Sequence, residues 1–280
     1  MCRRSCRVSD ELLEAVRRGI SIYDLGRPLF QGMPQSPNHP PFWHTLPRRH
    51  GDMVRVDGGS AANDMISMGT HVGTHIDALA HVSHEGKLYG GSDAYQSSTG
   101  GKFLELGVHT IPPLVRRGVL LDIPRVVGDG KIIPGYEITP RDLELEVGRT
   151  GVMLLPGDVV LVRSGWGSRF DEGVDAYVGH DTGVPGVGEA GAQWLAQTGP
   201  TAVGADSIAF ERLAPAGGHS LLPAHRVLLV ERGVYIMEAL NLEQLAQEQI
   251  YEFTIVVIPL NIVGATGSPV RPIAMVPHDR

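Results

Sequence analysis

The sequence predicts a mixed α/β fold, with a mostly antiparallel or mixed, barrel-like sheet flanked by helices. Its 280 residues are 42% apolar, which is enough to bury a sizeable core. Thirty-six glycines and twenty prolines divide the chain into short elements, without a fixed-period repeat. In the second half, helical and strand-like segments alternate without strict βαβ repetition, which favours a mixed sheet over a parallel one.

The first half begins with a short helix and a strand. Ser9 and Asp10 can cap a helix that ends near residue 18, and the alternation over residues 20–25 predicts a strand. Thr139 and Pro140 are typical of a helix N-cap and first turn. The other predicted strands of this half are Asp64–Met68, Gly118–Ile123 and Asp158–Arg163.

A Pro-rich loop covers residues 30–43 and carries three large aromatic side chains. Phe30, Phe42 and Trp43 either pack in the core or line a ligand pocket, because loops on a rigid scaffold often carry binding groups. The sequence favours neither interpretation over the other.

The second half alternates element types more clearly. We expect residues 1–19 to form a leader with a short helix, and residues 20–280 to form a single domain. The predicted helices of this half are Glu189–Gln197, Pro223–Glu231 and Leu242–Gln247. The predicted strands are Thr201–Ala205, Val234–Glu238, Glu252–Leu260 and Val270–Val276.

Composition favours a small-molecule ligand. The formal charge of −7 and the lack of a Lys/Arg-rich run argue against a nucleic-acid partner. The longest mostly apolar run, residues 254–263, is about half the length that spans a bilayer, so we expect no membrane segment. Cys2 and Cys6 both lie in the leader and cannot cross-link a fold of this size, which is consistent with a cytoplasmic protein.

The most informative segment places three histidines and one aspartate within eleven residues. His71, His75, Asp77 and His81 all occupy odd positions, so an extended chain points them to the same face, whereas a helix scatters them. A straight strand would hold His71 and His75 about 13 Å apart, too far for one ion. The backbone must therefore bend, and Gly73 allows that bend at low cost. This pattern predicts a metal site.

A second pair of possible ligands lies near the C-terminal end. After a helix from His225, a reversal at Gly233 and a returning strand would bring Glu238 level with His225. Glu238 shares the inward face of its strand with apolar residues, and a buried carboxylate needs a partner. Taken alone, the pair is more typical of a salt bridge to an arginine than of a metal site. The histidine cluster shifts the balance towards metal.

Other motifs give weaker evidence for a functional site. Residues 186–191 match G-x-G-x-x-G, with Asp206 eighteen residues beyond Gly188, but no buried strand precedes them. We therefore interpret these glycines as a flexible lead into an ordinary helix. No G-x-S-x-G nucleophile motif is present. His219 follows two glycines close before His225, and the remaining histidines have loop or terminal contexts where solvation is the default: His44, His50, His109, His180 and His278.

The motif His71-x-Gly73-Thr74-His75-x-Asp77-x-x-x-His81, with His225 and Glu238, resembles the cyclase-like metal-dependent hydrolases, which include bacterial kynurenine formamidase and isatin hydrolase. The resemblance implies a swivelling β/β/α domain that assembles as a homodimer or homotetramer. It also implies that His71, His75 and Asp77 hold zinc or manganese. In two-metal members Asp77 would bridge the ions, and His225 and Glu238 would serve the second.

Two positions depart from the formamidase pattern. Leu79 stands where proline is common, so the loop that carries His81 can follow another path. Ala209 stands where members often have serine, three residues after Asp206, which argues against a serine proton relay and leaves the substrate open.

These residues predict hydrolysis of a small amide, lactam or related cyclic carbonyl compound by water activated on one or two Zn²⁺ or Mn²⁺ ions. His81 would act as general base or proton shuttle. A lyase that closes a ring or removes water, and a non-catalytic metal-binding fold, remain alternatives. The residues expected to orient the ligands or contact substrate are Thr74, Asp206, Glu211, Phe30, Trp43 and His219.

Overall fold

The computed structural model describes residues 10–128 and 132–278. The first nine residues of the predicted leader, with Cys2, Cys6 and the expected cap Ser9, lie outside the described part. The helix expected after them begins at Asp10. The proposed division into a leader and one domain from residue 20 to 280 stays a prediction.

The described chain contains fifteen strands and six α-helices. The strands are β1 (Ile20–Asp24), β2 (Trp43–Arg48), β3 (Asn63–Ser67), β4 (His75–Asp77), β5 (Ser98–Thr99), β6 (Lys102–Phe103), β7 (Leu114–Asp122), β8 (Glu137–Ile138), β9 (Val159–Arg163), β10 (Gly186–Val187), β11 (Ala202–Ala205), β12 (Tyr235–Glu238), β13 (Glu252–Val257), β14 (Gly267–Pro269) and β15 (Ile273–Pro277). The helices are α1 (Asp10–Arg18), α2 (Pro140–Thr150), α3 (Val174–Val178), α4 (Glu189–Gln197), α5 (Pro223–His225) and α6 (Glu243–Gln247).

Nine strands form one strongly curled mixed sheet in the order β1-β15-β13-β7-β9-β11-β12-β4-β14. The four central strands β7, β9, β11 and β12 are parallel, and the outer pairs on both sides are antiparallel. The predicted fold class, a mixed α/β fold with a barrel-like sheet, is therefore confirmed.

The central strands are buried on both faces, as parallel strands usually are. Alternate residues of β7 point to opposite sides: Leu121 packs with α2 and α4, whereas Leu120 packs inside the curl with β13 and α6. Both side chains are fully buried. This double burial fixes the register of the sheet, because a slip of one residue would exchange the two faces.

Helix α2 follows the prediction closely. The Thr139 hydroxyl accepts a hydrogen bond from the Asp142 backbone, and the Asp142 carboxylate accepts one from the Thr139 backbone. This capping box satisfies two backbone donors that the first helical turn would leave without partners.

Several element boundaries differ from the predictions. The extended segment expected over residues 71–81 is a strand only at β4, and His71 and His81 lie in turns on either side of it. The strand expected over residues 270–276 begins later, as β15 at Ile273, the separate strand β14 precedes that range, and β13 stops at Val257. The hairpin β2–β3 stands apart from the main sheet. Its first strand was not predicted.

The interpretation of residues 186–191 as a flexible lead was wrong in part. The ordinary helix α4 does follow, but Gly186 and Val187 form the buried strand β10 beside β8. A side chain at Gly186 would collide with the backbone of Glu211. These glycines therefore permit close packing.

Three neighbouring strands, β12, β4 and β14, carry the site. The register places His75 directly opposite Glu238 on one side and Pro269 on the other. Before β12, α5 continues as a π-helix from Arg226 to Arg232, and Gly233 reverses the chain with φ = 68°. Within residues 10–128 and 132–278, no helix has the length and apolar character required to cross a membrane.

Candidate metal centre

The predicted ligands converge at the end of the central sheet. Asp77, fully buried on β4, accepts a 2.6 Å hydrogen bond at Oδ1 from Nδ1 of His71. Nε2 of His75 lies 3.5 Å from the same oxygen. The bend at Gly73, where φ is +68°, places His71 and His75 on the same carboxylate. The sequence prediction of a bend at this glycine is confirmed.

His225 and Glu238 join this cluster from the neighbouring elements. His225 Nε2 lies 3.1 Å from Glu238 Oε1 and 3.6 Å from Asp77 Oδ2. Glu238 Oε2 lies 3.4 Å from Nε2 of His75. The reversal at Gly233 thus brings His225 and Glu238 level, as expected from their spacing.

Two carboxylate oxygens in this cluster have no hydrogen-bond partner among the residues that the structure describes. Asp77 Oδ2 and Glu238 Oε1 are buried and face imidazole nitrogens at ion-pair distance without hydrogen-bond geometry. A buried carboxylate oxygen without a partner is costly, and a cation removes that cost. The donor set of imidazole and carboxylate groups suits a divalent transition metal. The residues present therefore fit a metal ion.

The possible ligand atoms fall into two overlapping groups. In each group, one atom per residue lies within 4.8 Å of the others, and Asp77 belongs to both. The first group adds His71 and His81 to Asp77, and the second adds His225 and Glu238. His75 contacts both carboxylates of the second group, so it lies beside that group. The buried cluster is consistent with a metal site.

Hydrogen bonds from Nδ1, the ring nitrogen on the far side from the cluster, orient His75 and His225. His75 donates from Nδ1 to the carbonyl of Gly73 at 2.8 Å, which leaves Nε2 facing the carboxylates. His225 donates from Nδ1 to Oε1 of Glu211 at 2.6 Å. A partner of this kind fixes the tautomer and the ring orientation of a ligating histidine.

The cluster shifts the pKa values of its members in opposite directions. Burial alone would lower the pKa of His75, but Glu238 and the charge of Asp77 outweigh burial and raise it to about 9. The pKa of His225 is likewise raised, against burial, by Asp77, Glu211 and Glu238. Burial would raise the pKa of Glu238, but His225 and His75 lower it to about 2. Without a cation, this cluster holds protonated imidazoles between ionised carboxylates.

His81 is the exception among the imidazoles. Burial, helped by the nearby His71 and His225, lowers the pKa of His81 to about 3 against the opposing charge of Asp77. Its ring stacks on His71 with centroids 3.8 Å apart. His81 is therefore neutral at physiological pH and can accept a proton or ligate a metal.

A cavity of about 150 Å³ opens onto the cluster. The ligand side carries His71, His75, His81, His225 and Glu238. The remaining lining residues come from two loops and α3: Pro34, Gln35, Ser36, Asn38, His39, Tyr177, Ile208, His219 and Leu222.

Among the residues expected to support the ligands, Thr74 and Glu211 lie beside the cluster. The Thr74 hydroxyl accepts from the Arg27 backbone at 2.8 Å and donates to the carbonyl of Ala239 at 2.7 Å. It therefore ties the β4 segment to the residue that follows Glu238. The buried Glu211 holds His225 through its ring and its backbone amide.

Three predicted residues are not brought to the cavity. Phe30 and Trp43 are 46% and 58% exposed and do not line it. Asp206 is fully buried, but its carboxylate accepts hydrogen bonds from Ser164, Gly165 and Gly167. It therefore shapes that turn and contacts none of the ligands.

Two residues beside His71, His39 and Thr266, were not predicted from the sequence. The His39 ring stacks on His71 with centroids 5.3 Å apart, and the Thr266 hydroxyl lies 2.9 Å from Nε2 of His71. The loop over residues 30–43 was recognised as a possible pocket wall, but only through its large aromatic residues. No signal in the sequence indicated Thr266.

Comparison with known proteins identifies the family of the chain. The Cyclase family model, described as "Putative cyclase", matches residues 23–212, which is more than half of the chain. The chain belongs to the Cyclase family. The matched region includes the histidine motif of residues 71–81 and ends just beyond Glu211.

Curated relatives in the family cover most of the chain. Cyclase-like protein 3 of Oryza sativa subsp. japonica is 30% identical over 216 residues, which cover 77% of this chain and 66% of the relative. The chain thus spans just under two thirds of that protein's length. A kynurenine formamidase of Geobacillus thermodenitrificans (strain NG80-2) is 26% identical over 250 residues, which cover 89% of this chain and 94% of the relative.

Solved structures share the fold along nearly the whole chain. A crystal structure described as a novel cyclase has a TM-score of 0.81 and 31% identity, and the match covers 95% of this chain and 92% of that one. Isatin hydrolase A from Ralstonia solanacearum has a TM-score of 0.75 and 23% identity, over 99% and 100% of the two chains. The fold that the motif resemblance implied is confirmed.

Proposed function

We propose that this Cyclase-family chain hydrolyses the C–N bond of a small amide, lactam or related cyclic carbonyl compound with the help of a bound divalent metal. The two buried carboxylate oxygens without partners, on Asp77 and Glu238, carry the proposal. They lie among imidazoles that line a cavity, through which a small molecule can reach an ion that they hold.

The metal ligands in this proposal are His71, His75, Asp77, His225 and Glu238. When bound, a divalent ion supplies Lewis-acid activation of water and of a carbonyl group. Imidazole and carboxylate ligands suit both zinc and manganese. Because Asp77 belongs to both groups of possible ligand atoms, the arrangement supports two ions that share this carboxylate as well as a single ion.

His81 takes the proton in this scheme. Its imidazole lies beside His71 and Asp77 and lines the cavity. The water oxygen joins the carbonyl carbon, the C–N bond breaks, and the leaving nitrogen receives the proton that His81 accepted from water. An imidazole that accepts and returns one proton needs no covalent intermediate with the enzyme.

The family relationship supports the same reaction class. The relatives include proteins named kynurenine formamidase and isatin hydrolase, and both names denote hydrolysis. The departures at Leu79 and Ala209 leave the substrate of this chain open. Assembly as a homodimer or homotetramer belongs to the proposal as well.

Metal content and oxygen-18 incorporation test this function together. After reconstitution with Zn²⁺ or Mn²⁺, the product of a hydrolysed formamide should carry one oxygen from labelled solvent. A product without the label would indicate a lyase. Removing the metal with a chelator should abolish turnover, and turnover that persists without metal would contradict the proposal.

The His81→Ala variant separates the two roles open to His81. We expect it to retain the metal content of the unchanged protein and to lose turnover by at least ~100-fold, the usual contribution of a general base. Loss of metal from the variant would instead make His81 a ligand. Full activity in a metal-loaded variant would remove His81 from the mechanism.

A further inference from the structure

The cavity is small, and its wall outside the ligands carries several polar side chains. Ordinary ligand sites enclose roughly 300–1,000 Å³ and are mostly apolar. This cavity of about 150 Å³ corresponds to the volume of about five liquid waters. Its shape therefore favours a compact substrate over an aromatic bicycle.

Most polar side chains on that wall are already engaged within the protein. The Gln35 amide donates to the His39 carbonyl and accepts from the Phe42 backbone. The Ser36 hydroxyl accepts from the Asn38 backbone, and the Tyr177 hydroxyl donates to the carbonyl of Asp206 at 2.9 Å. These groups shape the wall and leave little hydrogen-bonding capacity for a ligand.

Two imidazoles on the same wall, those of His219 and His39, can still form hydrogen bonds with a ligand. His219 lies 3.4 Å from the Asn38 side-chain amide through Nδ1 only, so Asn38 donates to Nδ1 and the ring proton resides on Nε2. The His39 ring stacks on His71, and it has no side-chain hydrogen bond to any residue that the structure describes. The wall thus offers two ring N–H donors beside the ligands, together with the apolar Ile208 and Leu222.

We infer that His219 and His39 bind a hydrogen-bond-accepting group, such as a carboxylate, on a compact substrate whose amide lies at the metal ligands. This inference rests on the proposed hydrolysis and adds the substrate class: small acyclic or monocyclic amides with a polar terminus. Asn38 is a positioning residue that acts through the tautomer of His219.

Two matched probes test the inference on the metal-loaded full chain. N-formylglycine carries the terminal carboxylate, and N-ethylformamide has a methyl group in its place. His219→Phe should weaken N-formylglycine binding and lower its kcat/KM by about 10- to 100-fold, mainly through KM, because a hydrogen bond to a charged group is lost. In the same variant, kcat/KM for the methyl-terminated probe should change by less than about threefold, because that probe forms no such hydrogen bond.

Controls distinguish this effect from steric or folding damage. His219→Gln retains an N–H donor and should recover most of the binding, and His180→Phe, in an exposed neighbouring loop, should change nothing. Equal losses for both probes would overturn the inference, as would hydrolysis of the bicyclic lactam isatin at the rate of N-formylglycine. If neither probe is hydrolysed although metal is bound, the proposed function fails, and calorimetric binding of the two probes still decides the role of His219.

Discussion

Asp77 is the residue on which the site depends. It is fully buried, contacts three histidines and lies at the centre of the sheet edge formed by β12, β4 and β14. Burial would raise its pKa, but the surrounding imidazoles His81, His225 and His71 hold it well below the ordinary range. The carboxylate is thus ionised before any cation binds, and the favourable charge for binding is preformed.

Removing the partner of His225 should weaken metal binding. In Glu211→Gln, an amide replaces one of the two oxygens that accept from His225 Nδ1 and from the Ala224 backbone at 2.9 Å. Loss of such a partner typically costs about 10- to 100-fold in metal affinity. Competition with a chromophoric chelator measures the change, with Glu189→Gln on the surface as control. Unaltered affinity in Glu211→Gln would show that Glu211 serves only the fold.

Metal binding should release protons at neutral pH. The raised pKa values of His75, about 9, and of His225 mean that both rings are protonated in chelator-treated protein at pH 7. A protonated imidazole cannot ligate, so binding displaces about two protons, and affinity rises between pH 7 and 9. Calorimetry in buffers of different ionisation enthalpy counts these protons. A buffer-independent enthalpy would show that both rings are already neutral before the metal binds.

At the scale of elements, the sequence predicted features that depend on neighbouring residues better than features that depend on strand pairing. The capping box of α2 and the bounds of α4 follow from residues that lie close together in sequence, so the sequence predicted them well. The short β4 was not predictable in this way. Its length depends on pairing with β12 and β14, which lie some 160 and 190 residues further along the chain.

The same distinction explains the site. The histidine motif and the His225–Glu238 spacing were visible because each depends on one local segment. His39 and Thr266 reach His71 only through packing between segments that are distant in sequence. Asp206 was predicted to help orient the ligands. Its oxygens instead cap a neighbouring turn, which no spacing rule distinguishes from ligand support.

Because β14 lies close to His71, one methyl group added at Gly267 should strongly disturb the position of His71. A Cβ at Gly267 would lie 2.9 Å from both ring nitrogens of His71, closer than real side chains approach. Gly267→Ala should therefore displace His71 from Asp77 and Thr266 and lower metal affinity by at least ~10-fold. Chelator competition and circular dichroism together separate loss of the site from loss of the fold. Normal metal affinity in a folded Gly267→Ala protein would show that His71 does not ligate.

A glycine without close neighbours provides the matched control. Gly148 lies exposed in α2, and a Cβ there would meet nothing within 4 Å. Gly148→Ala should leave metal affinity unchanged and raise the free energy of unfolding by about 0.5–1 kcal/mol, because alanine loses less backbone entropy in a helix. Urea denaturation measures this gain. A loss of stability in Gly148→Ala would indicate a contact that the helix does not show.

At the scale of the molecule, the hairpin β2–β3 presents an exposed surface with large apolar side chains. The hairpin β2–β3 is exposed along nearly its whole length, and Trp43, Met65 and Ile66 are each more than half exposed. A cavity of about 830 Å³ with a mostly apolar lining lies at its base, bordered by Ile66 and by Ile258 and neighbouring residues. Isolated two-stranded hairpins are only marginally stable in water, and monomers rarely expose so large an apolar surface.

In the proposed homo-oligomer, a second copy of the chain would cover this hairpin. In a two-fold dimer, each copy can place its hairpin against the apolar cavity of the other, because the same patch serves both subunits. We expect light scattering to give the mass of a dimer or tetramer at micromolar concentration. The double variant Trp43→Lys/Ile66→Lys should dissociate into monomers, because buried unpaired charges are costly. Leu145→Lys, on the exposed face of α2, should not alter the mass. A monomeric unchanged protein, or a double variant that stays assembled, would show that this hairpin is not the interface.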